Sequence, residues 1–572
     1  MKVYLVFQLL ILFFVLPSTT IGQFTFVPLG SEENHLIDRI DIKQQQNLDF
    51  YYTGIKPYNR KSIVQFLECI DSATSGPVNA GPYAADLSRI HPVSLTNVDE
   101  YNIQHFEINN SEWLVNDHEA LSTNSSSGSF YKYKGNMLQW NNTKSFVAIN
   151  PLLESSVGSD LNNKQSTYLQ SFGLETHGKI ADALGFSGSI TYTNEKGPAF
   201  FQNKVLQIHA VPGVGFYRSQ LPGTVSYLDP RGYITLSPVK YIALQAGYDK
   251  NFLGNGYRSM FLSDWGNSYF FVKIDTRIWR FKYENLFMRL TPQFSTPGLP
   301  VQKQKYAVMH TLSMDVNKTM NIGLFEGIIF ARSDHFDFQY LNPVIFLRHI
   351  EGTVGSPDNA NVGIDYKWNL FRRVQFYSQF LLDEFVVAHF FKHDGYWDNK
   401  WAFQNGVKYV DAFGINNLDL QLEVNLVRPF TYSHGDTLNN YTHYNQPLAD
   451  PLGANFHEVI GILNYQPANK WRLNMRAIYY DQGLDSAGQN FGSNPFENYF
   501  TRTRDLGYKI SGGQRMKCLN GSMLLSYEAK QNLYVDASFL YRRSVVQNTA
   551  AVNSSIISVG VRLNMNKRQY DY

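Results

Sequence analysis

The sequence predicts an all-β transmembrane barrel of about 18 antiparallel strands, preceded by a small, mainly helical region. Three features support this prediction: a secretory leader, segments of about ten residues with alternating polarity, and connections that alternate between tight and long. The predicted organisation is a signal peptide at 1–22, a mainly helical periplasmic region at 23–144 and an outer-membrane barrel at 145–572.

The amino terminus has the order of a secretory signal. Met1 and Lys2 precede an apolar run from Val3 to Leu16, and small and polar residues follow up to Gly22. The apolar run is too short for a membrane-spanning helix, which needs roughly 20 residues. We therefore expect cleavage near Gly22, export of the mature chain and a location in the outer membrane.

The composition excludes several classes of protein. A net charge of +2 over 572 residues provides no broad basic surface, so nucleic acid is not an expected partner. The only cysteines, Cys69 and Cys518, are too few for a disulfide framework, and neither follows the cleavage site as a lipid-carrying cysteine would. The 37 tyrosines and 41 phenylalanines suit strands in contact with outer-membrane lipid, with aromatic residues at both interfaces.

Alternating polarity is clearest in four segments, at 270–278, 362–370, 418–426 and 557–565. Each places apolar residues on one face and polar or small residues on the other. A soluble antiparallel sheet also alternates, so the pattern alone does not distinguish the two. Lumen-facing charges of both signs favour a packed or narrow interior over a channel selective for one sign of charge. These charges are Lys273, Asp275, Arg277, Asp365, Lys367, Glu423, Arg472 and Arg476.

The connections favour a membrane barrel. Tight links are predicted near residues 184, 239, 281, 318, 373, 416, 469 and 531, and long ones at 197–223, 253–267, 333–358, 386–400, 431–456 and 483–518. Outer-membrane barrels have short periplasmic turns and long outer loops. An even strand number places both barrel ends, and therefore the 23–144 region, on the periplasmic side.

The amino-terminal region and the end of the chain carry further expectations. Apolar periodicity predicts helices at 60–73 and 98–113, and a Ser-, Asn- and Gly-rich stretch at 122–129 indicates a flexible linker. Tyr570 and Tyr572 are typical of a final barrel strand that ends in aromatic residues.

The densest cluster of polar and aromatic residues lies in the loop at 431–458. It contains His434, His443 and His457, but their spacing matches no known ligand pattern, so we predict no metal and no cofactor. The residues fit either an ordered loop stiffened by Pro447 and Pro451 that folds over or into the barrel mouth, or contacts to carbohydrate. The predicted polysaccharide-binding residues are Tyr441, His443, Tyr444, Asn445, Gln446, Asp450, Asn455 and Phe456, with Asn255, Tyr257 and Arg258 from a second, Gly-rich loop.

Catalysis is not expected. Asp383 and Glu384 are adjacent on a strand and therefore point to opposite faces, which disfavours a glycosidase pair. Ser433, His434 and Asp436 are close in sequence, but their spacing imitates no known nucleophile context. We predict no catalytic residues and a protein that is not an enzyme.

Five motifs carry a resemblance to a known family. They are Phe-Leu-Gly-Asn-Gly-Tyr-Arg-Ser at 252–259, Tyr-Leu-Asn-Pro-Val-Ile at 340–345, Leu-Leu-Asp-Glu-Phe at 381–385, Tyr-Thr-His-Tyr-Asn-Gln-Pro-Leu at 441–448 and Pro-Leu-Gly-Ala-Asn-Phe at 451–456. These loops resemble the Wzi-type capsule-assembly family, and most closely the RemB-type outer-membrane proteins of gliding motility.

The resemblance implies an 18-stranded barrel with a helical periplasmic element. For the Wzi type it implies non-enzymatic binding of capsular polysaccharide, and for the RemB type a surface role linked to motility. Protein partners in the envelope or in the motility or secretion apparatus are consistent with either role. A diffusion channel and an enzyme acting on lipid or glycan are the alternative functions.

Overall fold

The computed structural model describes residues 24–45, 47, 54–75, 93–114, 135–181, 183–219, 221–239, 241–295, 304–332, 336–344, 349–350, 352, 358–486 and 488–572. The predicted signal peptide, its cleavage site and the predicted linker at 122–129 lie outside the described residues. No helix in the described ranges is both long enough and apolar enough to cross a membrane.

Eighteen antiparallel strands close into a barrel, as the sequence predicts. The strands are β1 Phe146–Asp160, β2 Gln165–Ile180, β3 Leu184–Lys196, β4 Val225–Val239, β5 Ile242–Asp249, β6 Tyr269–Ile278, β7 Phe281–Leu290, β8 Gln304–Asp315, β9 Met320–Arg332, β10 Asn359–Leu370, β11 Val374–Glu384, β12 Lys400–Tyr409, β13 Leu418–Val427, β14 Phe456–Ala468, β15 Trp471–Leu484, β16 Gln514–Lys530, β17 Leu533–Val546 and β18 Val552–Leu563. Each strand pairs with the next, and β18 pairs with β1.

The outer wall is apolar where the alternation predicts it. On β6, Phe270 and Val272 are exposed on the outside, whereas Phe271 and Lys273 are buried in the interior. The other strands follow this pattern with exposed Leu174, Ile190, Ile364, Leu422, Val535, Phe539, Ile557 and Val559. Such a band of apolar side chains is stable only against lipid, so the strands cross a membrane.

Turn lengths separate the two ends of the barrel. The turns at one end contain two to eight residues, and all eight predicted tight links are there. The other end carries the long loops at 197–224, 250–268, 291–303, 333–358, 385–399, 428–455 and 485–513, together with two short links at 161–164 and 547–551. The loop at 291–303 was not predicted from the sequence. We call the short-turn end periplasmic and the long-loop end outer.

The described residues contain five α-helices. They are α1 Glu32–Gln44, α2 Arg60–Ser75, α3 Asn97–Asn109, α4 Ala199–Ile208 and α5 Val387–Lys392. A capping box starts α3, since Thr96 Oγ1 accepts from Asp99 N–H and the Asp99 carboxylate accepts from Thr96 N–H. The first three helices share an apolar core that includes Ile37, Phe66 and Phe106.

Ion pairs hold the helical region against the periplasmic end of the barrel. Arg39 on α1 pairs with Asp99 at 2.8 Å, with Asp411 at 2.6 Å and with Asp419 at 2.5 Å. Asp41 reaches Lys367 on the inner wall at 3.1 Å. The region therefore closes the barrel from the periplasmic side instead of hanging free below it.

The closure between β1 and β18 is incomplete at its periplasmic end. β18 pairs only with the segment 153–160 of β1, and the short strand Leu138–Asn141 covers the remaining edge by pairing with Phe146–Ile149. This extra strand satisfies backbone groups that lipid could not.

The end of the chain corrects one expectation. The final strand ends at Leu563, before Met565, and Tyr570 and Tyr572 are not part of it. Residues 564–572 instead turn back into the lumen, where the Tyr570 hydroxyl donates to Glu195 at 2.5 Å and Tyr572 packs against Trp265. We call this segment the carboxy-terminal tail.

Candidate functional site

Two outer loops fold inward and occupy part of the lumen. We call the loops at 250–268 and 428–455, together with the carboxy-terminal tail, the inner plug. Tyr432 and Tyr441 are buried, and their hydroxyls donate to the backbone carbonyls of Met260 at 2.8 Å and Phe261 at 2.7 Å. Phe261 in turn stacks on Phe325 of the barrel wall, with 4.4 Å between ring centroids. The two loops therefore form a single core with the wall.

The first loop also reaches the amino-terminal region. Phe252–Leu253 pairs with Ile55–Lys56 as a two-stranded sheet, and Gly254 N–H donates to Gly54 O at 2.7 Å. Gly254 has a φ of +140°, a conformation that favours glycine. At Gly256, an added Cβ would lie 2.6 Å from Glu423 Oε2. The Gly-rich motif thus lets the backbone descend between the side chains of the inner wall.

Arg258 lies at the centre of the plug among buried carboxylates. Its guanidinium is 3.1 Å from Asp571 Oδ2, 3.4 Å from Glu458 Oε1 and 3.9 Å from Asp450 Oδ2. The backbone N–H groups of Tyr257 and Arg258 both donate to Glu423, at 2.7 and 3.1 Å. Burial raises the pKa of Asp450 to about 6, although Arg258 opposes the shift.

A tight hairpin forms the tip of the second loop. Thr442–His443 pairs with Gln446–Pro447 across Tyr444 and Asn445, which have φ values of +50° and +58°. Two consecutive residues with positive φ are the mark of a type I′ turn. His443 Nδ1 accepts from Thr291 N–H at 2.8 Å, and burial lowers its pKa to about 4, so the ring is neutral at neutral pH.

The structure brings the predicted polysaccharide-binding residues together, but mostly inside the protein. Nine of the eleven are buried, and only Tyr444 and Tyr257 are partly exposed. Asn445 donates to Ile208 O and Phe294 O, and Asn455 donates to three backbone carbonyls. The contacts observed for these side chains hold the plug together. Their part in ligand binding stays a prediction.

The residues considered for metal binding or catalysis have separate partners. His434 Nδ1 accepts from Asp436 N–H at 3.0 Å, His443 contacts Ser268 O, and His457 contacts Ser511. The Ser433 hydroxyl donates to Phe430 O at 2.6 Å. Within the described ranges, no group of three or more His, Cys, Asp or Glu side chains is arranged to hold a metal ion.

The adjacent carboxylates of β11 have different hydrogen-bond partners. Asp383 accepts from Tyr432 N–H at 2.8 Å in the plug, whereas Glu384 pairs with Lys400 at 2.7 Å near the outer rim. A register shift between Leu382 and Glu384 marks the outer end of this strand pair.

A polar chamber remains beside the plug. It has a volume of about 860 Å³ and is lined by small polar residues of β3, by residues of the helical region and by charges such as Asp229, Arg231 and Arg472. Both signs of charge line it, which agrees with the prediction of a mixed interior.

An aromatic cluster lies at the outer end, between the loops at 385–399, 428–455 and 485–513. We call Tyr396, Trp397, Phe430, Phe491, Tyr499 and Tyr508 the outer aromatic cluster. The Arg502 guanidinium lies 3.8 Å above the Trp397 ring, and Lys400 Nζ lies 4.3 Å above the Tyr499 ring. Trp397 was not singled out from the sequence, because the residues of this cluster meet only in three dimensions.

Comparison with known proteins identifies a similar fold. No family model and no curated protein sequence matches the chain. Wzi of Escherichia coli, described as an outer-membrane protein involved in group 1 capsule assembly and a carbohydrate-binding β-barrel, superposes with a TM-score of 0.57 at 10% identity, over 96% of this chain and 100% of Wzi.

Two further structures are similar to part of the chain. Pseudomonas aeruginosa OprD has a TM-score of 0.40 at 10% identity, over 73% of this chain and 95% of OprD. Acinetobacter baumannii OccAB2 has a TM-score of 0.40 at 11% identity, over 73% of this chain and 97% of OccAB2. Together with the wall described above, the Wzi superposition establishes a Wzi-like outer-membrane barrel fold.

Proposed function

We propose that this chain is a non-enzymatic outer-membrane barrel that binds surface polysaccharide at its outer end. The observation that carries the proposal is the plugged interior. Outer loops, tail and helices occupy the lumen and hold each other by buried ion pairs and aromatic contacts. A barrel closed in this way acts through the surface that its loops present.

The Wzi-like fold supports a carbohydrate ligand. Wzi is described as carbohydrate-binding, and its fold extends over nearly the whole of this chain. In our proposal, the predicted residues of the loop at 441–456 and of the Gly-rich loop belong to the ligand-binding region. Tyr444 and Tyr257 are the partly exposed members, and the buried members set the shape of the surface.

The finer assignments remain predictions. A link to gliding motility rests on the sequence resemblance alone, and so do protein partners in the motility or secretion apparatus. Cleavage near Gly22 is likewise a prediction. The channel alternative requires an open lumen, which the inner plug and the helical region oppose.

Two measurements on the detergent-purified mature protein test the proposal. Polysaccharide extracted from the surface of the producing cells should bind saturably, and proteoliposomes should admit small sugars no faster than empty liposomes. A variant lacking 441–456 should lose binding while keeping the heat-modifiable mobility of a folded barrel. Rapid sugar uptake by the intact protein, with no polysaccharide binding, would establish the channel instead.

A further inference from the structure

Three basic side chains lie together on the outward face of the barrel, at its outer rim. Arg515 and Lys517 are on β16, and Arg543 is on the neighbouring strand β17. All three are exposed, and they share the outward face with the exposed wall residues Leu519 and Phe539. Arg543 lies directly across from Leu519, and Lys517 is one outward position nearer the outer end than Leu519. We call these three side chains the basic rim.

The basic rim lies at the height where the apolar wall ends. Near the periplasmic end, the rings of Trp471 and Tyr527 pack together on the same face, with 4.8 Å between their centroids, as is typical of a membrane interface. Lys517 lies ten residues before Tyr527 on β16. At about 3.3 Å per residue and a tilt of about 40°, this separation spans about 25 Å, the usual height of the apolar band. The basic rim therefore faces the headgroup region of the outer leaflet.

Positive charge exceeds negative charge at the basic rim. Within the described ranges, the carboxylate that contacts it is that of Asp481 on β15, which pairs with Arg515 and is almost completely buried. Three cations and one carboxylate leave a net charge of +2. Lys517 and Arg543 form no ion pair with any residue in the described part of the chain. Their charges are therefore open to an anionic partner.

Another outward-facing arginine shows the opposite arrangement. Arg332 ends β9 on the outward face and pairs with Asp337 at 3.3 Å and with Asp358 at 2.8 Å. The charge of Arg332 is thus compensated within the protein, whereas that of the basic rim is compensated only in part.

We propose that the basic rim binds the phosphate group of an anionic lipid in the outer leaflet. Lys517 and Arg543 donate charge-assisted hydrogen bonds to the phosphate oxygens. The acyl chains lie along the apolar wall below, over Leu519 and Phe539. The position of the cations favours a lipid over a soluble anion, because they lie on the lipid-facing wall and the apolar surface continues directly below them. This inference is independent of the proposed polysaccharide binding.

A lipid titration of the full mature protein tests the site. Phosphatidic acid presents an anionic phosphate monoester, whereas phosphatidylcholine with the same acyl chains carries a phosphate that choline neutralises. Native mass spectrometry of the protein in a neutral detergent counts the lipid molecules retained at each concentration. The wild type should bind phosphatidic acid about 10- to 30-fold more tightly than phosphatidylcholine. Inorganic phosphate should not displace phosphatidic acid, since the acyl chains also hold the lipid.

Charge variants locate the site. Lys517→Gln and Arg543→Gln each remove one charge and should reduce the preference about 5-fold, and the double variant should abolish it. Lys517→Arg keeps the charge and should bind like wild type. The matched control is Lys392→Gln, which changes an exposed lysine on the outer loop at 385–399 and should leave the preference unchanged. Because these side chains are exposed, every variant should keep the heat-modifiable mobility of a folded barrel.

Each outcome decides for or against the site. A preference lost in the double variant and kept in Lys392→Gln supports it. Equal affinity of the wild type for the two lipids would overturn it, and so would an unchanged preference in the double variant. Displacement of phosphatidic acid by inorganic phosphate would show that the basic rim binds free anions instead of a lipid.

Discussion

Arg258 and Asp571 lie 313 positions apart in sequence, and their side chains meet at 3.1 Å inside the barrel. Arg258 comes from an outer loop that descends, and Asp571 from the tail that returns from the periplasmic end. The ion pair therefore joins the two halves of the inner plug. It also neutralises part of a cluster that includes Glu458 and Asp450.

Replacement of this arginine is the first prediction. Arg258→Gln leaves the buried carboxyl groups of Glu458 and Asp450 without their countercharge and leaves Asp571 paired only with Arg476, so the free energy of unfolding should fall by about 3–5 kcal/mol. Urea unfolding in detergent micelles measures the change. Arg504→Gln, on an exposed outer-loop residue, should change it by less than about 0.5 kcal/mol. A small effect of Arg258→Gln would mean that water already solvates the cluster.

The Gly-rich loop provides the second prediction. An alanine Cβ at Gly256 would lie 2.6 Å from both Gln404 Oε1 and Glu423 Oε2, so Gly256→Ala should destabilise the protein by about 1–3 kcal/mol. Gly461→Ala on β14 is the matched control, since an added Cβ there meets nothing within 4 Å. Equal unfolding midpoints for the two variants would show that the loop can shift away from the wall.

The alternation of polarity and the turn lengths were sufficient to predict the barrel. Both are local patterns that can be recognised within one strand and the connection that follows it. The helices α2 and α3 were predicted for the same reason. The sequence did not decide whether the outer loops fold inward, because Tyr441 contacts Phe261, which lies 180 residues away in the chain. Apolar residues such as Leu448, Ala449 and Ala454 in a loop were the available signal that the loop is buried.

The prediction for the aromatic end of the chain was wrong because aromatic residues suit both a membrane interface and a packed interior. Tyr570 and Tyr572 suit a membrane interface, but they pack instead beside Glu195 and Trp265 in the lumen. Strand assignment from alternation extended two residues too far, to Met565, since the turn into the lumen has no strong breaker. The outer aromatic cluster was missed because its members come from three loops.

The third prediction concerns pH. Burial raises the pKa of Asp99, but hydrogen bonds and charges from Arg39 and Lys43 outweigh it and hold the pKa well below its usual value. A depressed carboxyl pKa stabilises the folded state above the unfolded pKa of roughly 4, and this stabilisation is lost as pH falls further. The contact between α1 and α3 should therefore weaken below about pH 4, seen as faster proteolysis of residues before β1.

Asp99→Asn should reproduce that weakening at neutral pH. The substitution removes the charge that faces Arg39 and Lys43 and should cost about 1–3 kcal/mol, since Arg39 keeps Asp411 and Asp419. Glu100→Gln changes the exposed neighbour on the same helix and should have no effect. If both variants resist protease equally at pH 7, the apolar core of the helices, and not this ion pair, holds α1 against α3.

The fourth prediction concerns a polar row on the outer wall. Asn285, His310 and Glu326 are cross-strand neighbours on β7, β8 and β9, and all three point outward, on the same face as Val308 and Ile328. They are nevertheless buried, and His310 Nδ1 lies 3.4 Å from Glu326 Oε1. Phe336, Tyr340 and Ile350 of the loop at 333–358 pack on the adjoining apolar residues.

Apolar replacement of the pair tests what this row contributes. Neither ring nitrogen of His310 makes a hydrogen bond to a described residue, so the interaction between His310 and Glu326 offsets little of the free-energy cost of removing the two side chains from water. The double variant His310→Val with Glu326→Val should therefore match or exceed wild-type stability, by up to about 4 kcal/mol, in detergent unfolding. Glu326→Val alone removes one partner and should destabilise. Loss of more than about 1 kcal/mol in the double variant would show that the polar row itself stabilises the wall.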